Sequence, residues 1–129
     1  MKTGRAAIKA LEIAKLAAQA LDSKLGKDVL VRDLREISEV TDYCVIVSGS
    51  SPPHLKALFN EVQHVLKDAG EPCYRKAGDP DCGWLLVDYI EVVIHIFLEE
   101  TRAYYAIEEL WAQAPQIEVP LLPQNPSLQ

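Results

Sequence analysis

Residues 83–97, GWLLVDYIEVVIHIF, constrain the fold of this chain more tightly than any other stretch. Two short apolar runs, 84–87 and 92–97, flank the break Asp88-Tyr89-Ile90-Glu91, and β-branched residues dominate the second run. This pattern predicts a hairpin whose strands lie deep in a sheet. Few of its positions can face water on either strand. The sheet therefore needs covers, and helical segments on either side in sequence are available to supply them.

Those helical segments can be read from apolar spacing. In residues 5–25, Leu11, Ala14, Ala18, Leu21 and Leu25 recur at steps of three and four, while Lys9, Glu12, Gln19 and Asp22 follow the opposite face; Gly26 is placed to stop the helix. Its many alanines permit close packing against a sheet or a second copy. A short strand is expected at 28–33, then a loop at 34–41 pinned by Ile37 and Val40, then an apolar strand at 43–47. The clearest amphipathic helix follows, with Leu55, Leu58, Phe59, Val62, Val65, Leu66 and Ala69 on one face. Ser51 suits its N-cap, Pro52 its first turn and Gly70 its end.

Residues 73–76 read as a short strand and 77–82 as a loop leading into the hairpin. After it, 99–114 read as one helix with an apolar stripe of Tyr104, Ile107, Leu110 and Trp111, leaving Arg102, Glu108 and Glu109 on polar exits. The sequence thus implies a single α/β domain over residues 1–114, with a mixed sheet of about five strands covered by helices. The proline-rich remainder, 115–129, is expected to be extended and largely unpacked.

Composition narrows the function. With 129 residues, 49% hydrophobic and 25% charged, the chain can bury one ordinary core without staples. Its longest apolar run is too short to span a bilayer, and the charged N-terminus lacks the apolar region of a signal peptide, so a cytoplasmic protein with no membrane partner is expected. Cys44, Cys73 and Cys82 are odd in number and widely spaced, unlike a disulfide framework or a zinc site. A net charge of −6 without a basic cluster in the sequence disfavours direct nucleic-acid binding and suits docking on a basic protein.

No catalytic or metal constellation stands out, and no cofactor is expected. The turn VSGSSPPH precedes a helix but lacks a P-loop lysine, and Pro52 and Pro53 remove two backbone donors. A small nucleotidyltransferase using Ser48 to Ser51 for a triphosphate remains the alternative; it would also need grouped carboxylates for magnesium, and Asp79-Pro-Asp81 falls in a loop. His54 and His64 lie on different faces of one helix, and His95 reads as a hydrogen-bonded histidine within the sheet. A surface remains: Trp84, Tyr104, Tyr105 and Trp111, accompanied by Glu99, Glu100, Glu108 and Glu109. Aromatic anchors with a charged rim are a means of binding protein. Trp111 fits the core better, whereas Tyr105, a quarter-turn from Tyr104, fits the surface.

Several motifs occur together and in order. They are Thr41-Asp42-x-x-Val45-Ile46-x-Ser48-Gly49, Ser51 with His54, Gly83-Trp84-x-x-x-Asp88, Val92-x-Ile94-His95-x-Phe97 and Arg102-x-x-Tyr105-x-x-Glu108-x-Leu110-Trp111. From about residue 8 to residue 114 the chain resembles the Iojap-type ribosomal silencing factors. The resemblance implies a nucleotidyltransferase-like fold without transferase chemistry, often as a homodimer. It also implies a translational repressor that binds a protein on the joining face of the large ribosomal subunit and blocks the small one. The family's contacting aromatics map onto Trp84 and Tyr105, with Glu99, Glu100, Arg102 and Glu108 as candidate rim contacts. Two positions depart from the pattern: Ile90 stands where relatives usually have Gly, and Pro53 where a basic or polar residue is frequent.

Overall fold

A computed structural model describes residues 4–119. The elements run α1 (Gly4–Ser23), β1 (Lys27–Asp33), β2 (Tyr43–Gly49), α2 (Pro52–Asp68), β3 (Arg75–Asp79), β4 (Trp84–Asp88), β5 (Val92–Leu98) and α3 (Glu99–Tyr105). The strands form one sheet in the order β1-β2-β5-β4-β3. Only β2 and β5 run parallel, and the other neighbours are antiparallel, so the expected mixed five-stranded sheet is present.

The deepest strand is β2, buried at all seven positions, beside β5 at the sheet centre. β4 is less enclosed than the sequence suggests: Leu85 and Val87 are buried, while Trp84, Leu86 and Asp88 on the alternate face are half-buried. Its register explains this. β4 is one strand from the edge, and only one of its faces is covered by a long helix.

On that covered face α1 and α2 bring Ala14, Ala17, Ala18, Leu21, Leu55, Leu58, Val62 and Leu66 onto Val45, Val47, Val87, Ile94 and Ile96. Alanine's small side chain lets α1 approach the sheet closely. The helix ends at Ser23, so Leu25 leaves the core face and is exposed, with φ of 65°. Gly26 N–H bonds Leu21 O and Leu25 N–H bonds Asp22 O, the paired closure in which the residue before Gly26 takes the left-handed conformation. A Cβ on Gly26 would lie 2.6 Å from Val47 Cγ2, so close approach to β2 requires the glycine. α2 begins and ends as its sequence indicates: Ser51 Oγ accepts from His54 N–H, Pro52 opens the first turn, and Gly70 follows at φ of 85°.

Four other expectations are corrected. The loop after β1 is pinned by buried Leu34, whereas Ile37 and Val40 are exposed. The short strand lies at Arg75–Asp79, two residues later than expected, and a 3₁₀ turn at Pro80–Cys82 completes the connection. The long helix after the hairpin breaks at Ala106, where φ is 48°, and continues as a 3₁₀ turn, Ile107–Trp111. The first residues beyond it are packed: Asp33 N–H donates to Pro115 O and Ile117 N–H to Val31 O, both at 2.8 Å, and Gln116 bridges to Arg32. They cover the outer edge of β1. The rest of the proline-rich segment, 120–129, lies outside the described residues.

Candidate functional site

The sheet face opposite α1 and α2 carries the predicted aromatic site. Alternation along the strands sends Cys44, Ile46 and Ser48 of β2, Val93, His95 and Phe97 of β5, and Trp84, Leu86 and Asp88 of β4 to this side. Leu34, Cys44, Ile46, Phe97 and Ala114 form its small core, with Trp84, Ile107 and Trp111 packed on it.

Gly83 sets where Trp84 begins. Its φ is 77°, its carbonyl accepts from Leu98 N–H, and a Cβ would fall 2.3 Å from Thr101 Oγ1. The Gly-Trp pair is therefore needed for α3 to sit against the start of β4. Trp84 then stacks on Phe97 at 5.2 Å between ring centroids, and meets His95 at 6.0 Å and Tyr105 at 5.6 Å. Tyr105 is 56% exposed and Tyr104, edge-on to it at 5.1 Å, is 83% exposed. Tyr104 and Leu110 thus face outward and do not join the inward stripe expected of them, and the break at Ala106 interrupts that stripe between the two.

Arg102 has a different place from the exposed one its spacing suggests. It is buried, its Nε donates to Glu108 Oε1 at 2.7 Å and its Nη2 to Glu108 Oε2 at 3.2 Å, while Nη1 reaches Ser48 Oγ and Asp28 O at 2.9 Å. The guanidinium holds the Glu108 carboxyl below its usual range. On a continuous helix, residues six apart are ~240° apart around the axis and cannot meet in this forked pair. The Arg102–Glu108 pair therefore requires the break at Ala106. Together they fold the Ile107–Trp111 turn over His95, which lies 5.8 Å from the Trp111 ring.

His95 is buried and its Nδ1 has no hydrogen-bond partner, contrary to the bonded histidine expected in the sheet. Burial lowers its pKa from 6.5 to about 4, with Asp88 opposing weakly, so the ring is neutral and packs as an aromatic. The Nε1 of Trp84 is likewise enclosed without a partner. Glu99 and Glu100 are exposed on the first turn of α3, where Glu99 is 3.5 Å from Lys27. Of the six predicted site residues, then, Trp84 and Tyr105 are in contact, Glu99 and Glu100 are exposed on the first turn of α3, and Arg102 and Glu108 brace the arm from within.

The Gly-Ser turn before α2 spends its polar groups internally. Ser48 Oγ accepts from Arg102, Ser50 N–H donates to His54 Nδ1 at 2.9 Å, and Ser51 caps α2. Among the described residues no group of three or more His, Cys, Asp or Glu side chains converges as metal ligands would, and no helix is long and apolar enough to cross a membrane.

Residues 7–128 match the family model described as "Ribosomal silencing factor during starvation". The chain belongs to the ribosomal silencing factor family. The match takes in most of the proline-rich segment, so the family extends past the residue 114 boundary read from the motifs. The Bacillus subtilis ribosomal silencing factor is 37% identical over 103 residues, 80% of this chain and 87% of that one. A crystal structure of a Chromobacterium violaceum protein superposes with a TM-score of 0.77 at 34% identity, covering 91% of this chain and 97% of that one. A mouse protein named "Mitochondrial assembly of ribosomal large subunit protein 1" is 34% identical over 78% of this chain and 48% of its own length. The chain thus shares its fold with that crystal structure, and the other two relatives carry names that concern the ribosome.

Proposed function

We propose that this protein represses translation by docking on a basic protein at the joining face of the large ribosomal subunit and sterically excluding the small subunit. Membership of the family and the printed name of the mouse relative support the choice of the large subunit. The observation that carries the reading is the outward aromatic step on the open sheet face: Tyr105 exposed against half-buried Trp84, with exposed Tyr104 edge-on to Tyr105. Such a step offers amphipathic anchors at low entropic cost, and the exposed Glu100 and Glu109 of the same arm carry negative charge suited to a basic partner. Arg102 and Glu108, first expected at the rim, act as braces. Occupancy alone accomplishes the repression, so no catalysis is required. The free protein is a homodimer in the cytoplasm on this reading, with the docking face available to the ribosome as the copies separate.

Cosedimentation with isolated large and small subunits, combined with a subunit-joining assay, tests the proposal. The expected result is binding to the large subunit alone with fewer joined ribosomes. Tyr105→Ala should weaken binding about thirtyfold, the effect of losing ~2 kcal/mol at a central anchor. Normal folding of Tyr105→Ala and Trp84→Ala with unchanged ribosome binding overturns the anchor assignment; binding to neither subunit overturns the function.

A further inference from the structure

The two edges of the sheet differ. The outer side of β1 is covered at Val31 to Asp33 by residues 115–117 of the same chain, whereas the outer side of β3 has no backbone partner among the described residues. An uncovered edge offers alternate N–H and C=O groups to another extended chain. We infer that β3 is a docking edge for an extended peptide segment that alternates acidic and apolar residues.

The alternation follows from what flanks β3. Lys76 pairs with Val87 and so lies on the α2 side, where a 660 Å³ groove is lined by Gln63, Lys67, Cys73, Lys76 and Tyr89. A second recess of 230 Å³ continues it past Lys56 and Phe59, sharing Lys76. Lys56, Lys67 and Lys76 are exposed on three sides of this path, and no ion pair joins any of them to another described residue. Glu71 in the same wall is already engaged by Lys9 at 3.4 Å. Three uncompensated lysines along one groove stand out in a chain of net charge −6. On the opposite side of β3, Arg75 is held by Asp88 at 3.5 Å, and Ala77, Trp84 and Leu86 line an apolar recess of 250 Å³.

A strand paired to β3 therefore sends alternate side chains to the lysines and to the Ala77–Trp84–Leu86 shelf. The charge also selects against a second copy: an edge-to-edge pair of β3 strands would bring Arg75 and Lys76 of both copies together. A polyanion such as RNA could use the lysines but not the free backbone edge or the apolar shelf. The inference does not use the ribosomal reading and stands or falls separately from it.

The test is titration of the full ¹⁵N-labelled chain with a blocked eight-residue peptide of alternating Glu and Val, followed by amide exchange. The expected result is shifts at Lys56, Lys67 and Lys76 with slowed exchange in Arg75–Asp79, and no response to the matching Lys-Val peptide. Lys67→Glu combined with Lys76→Glu should weaken binding at least tenfold, while Ile37→Ala, exposed near the opposite edge of the sheet, leaves it unchanged. These surface lysines join no ion pair with another described residue, so the variant should fold; Lys76→Pro, which removes an outward-facing main-chain donor of β3, supplies a further loss of binding. Failure of the Glu-Val peptide to bind at millimolar concentration overturns the inference. So does tighter, lysine-dependent binding of a twelve-nucleotide oligouridine with no protection of β3, which would reassign the lysines to phosphates.

Discussion

The two faces of the sheet are built from the same five strands and do opposite work. The face under α1 and α2 is sealed by two long helices whose alanine and leucine stripes mesh with β2 and β5. The other face is covered over only part of its width by one two-turn helix and a 3₁₀ turn, which leave Trp84 and Leu86 half-buried and Tyr105 outside. A closed face contributes stability through buried area. A half-closed one keeps aromatic surface available to a partner while four rings stack to hold it in shape. If this division holds, truncations should separate cleanly: Leu58→Ala, on the closed face, should lower unfolding free energy by about 3 kcal/mol, and Leu110→Ala, exposed on the other, by less than ~0.5 kcal/mol. Urea titration of the two variants checks it, and similar losses from both would remove the distinction.

The open face also carries the sharper pH response. His95 takes up a proton near 6.5 when unfolded but resists until about 4 in the fold, because burial disfavours the charged ring. As pH falls through that window the unfolded state binds more protons, so stability falls with it, and the loss ends once both states are protonated. Integrated over the window the effect is roughly 3 kcal/mol. The carboxylates of Asp33 and Glu108, both held below their usual values, lose their contribution only at lower pH. A slope between pH 6.5 and 5 therefore belongs to His95, and His95→Phe, which keeps a ring in the stack, should flatten it. Unfolding midpoints across that range decide the matter.

The arm over His95 gives an intermediate effect. Removing Arg102 leaves Glu108 without its fork and Ser48 without a donor, and Arg102→Met should cost about 2 kcal/mol. Glu108→Gln keeps one acceptor and should cost about half as much. The double variant should lose less than the two single losses added together, since both act through one pair. Additive losses would show that the turn at Ala106 does not depend on the pair.

These residues also show what could be read from sequence. Segments with one clear period and recognisable ends, such as α2 with Ser51, Pro52 and Gly70, could be placed because local chemistry and burial agree. The pairing of Trp84 with Tyr105 rests on the resemblance to the ribosomal silencing factors, because the residues alone mark only a cluster of four aromatics and four glutamates around it. The break at Ala106 could not be read, since no Gly or Pro marks it and the spacing through Trp111 still fits a helix; it accompanies a partly buried ion pair between residues six apart. Leu34 was missed in favour of Ile37 and Val40 for a related reason: a single loop side chain has no period. The pairing of residues 115–117 with β1 rests on backbone bonds, which side-chain pattern does not report.

The smallest effect concerns the turn that joins β4 to β5. Ile90 adopts φ of 74°, a region where a β-branched side chain crowds the backbone. The turn holds because Ile90 N–H donates to Asp88 Oδ1 at 2.7 Å and Tyr89 N–H to Val92 O at 2.8 Å. Ile90 also borders a recess beside Lys9, Ala10 and Ile13 of α1, on the closed face. Two terms therefore compete. Relief of the backbone favours Ile90→Gly, while lost contact with α1 and the greater freedom of unfolded Gly oppose it. With the side chain about half exposed, the backbone should dominate and the variant should gain about 0.5–1 kcal/mol. A rise in thermal midpoint would place Ile90 among the costs of the turn. A fall would instead make it part of the packing that seals the closed face, extending that face from α1 to the hairpin tip.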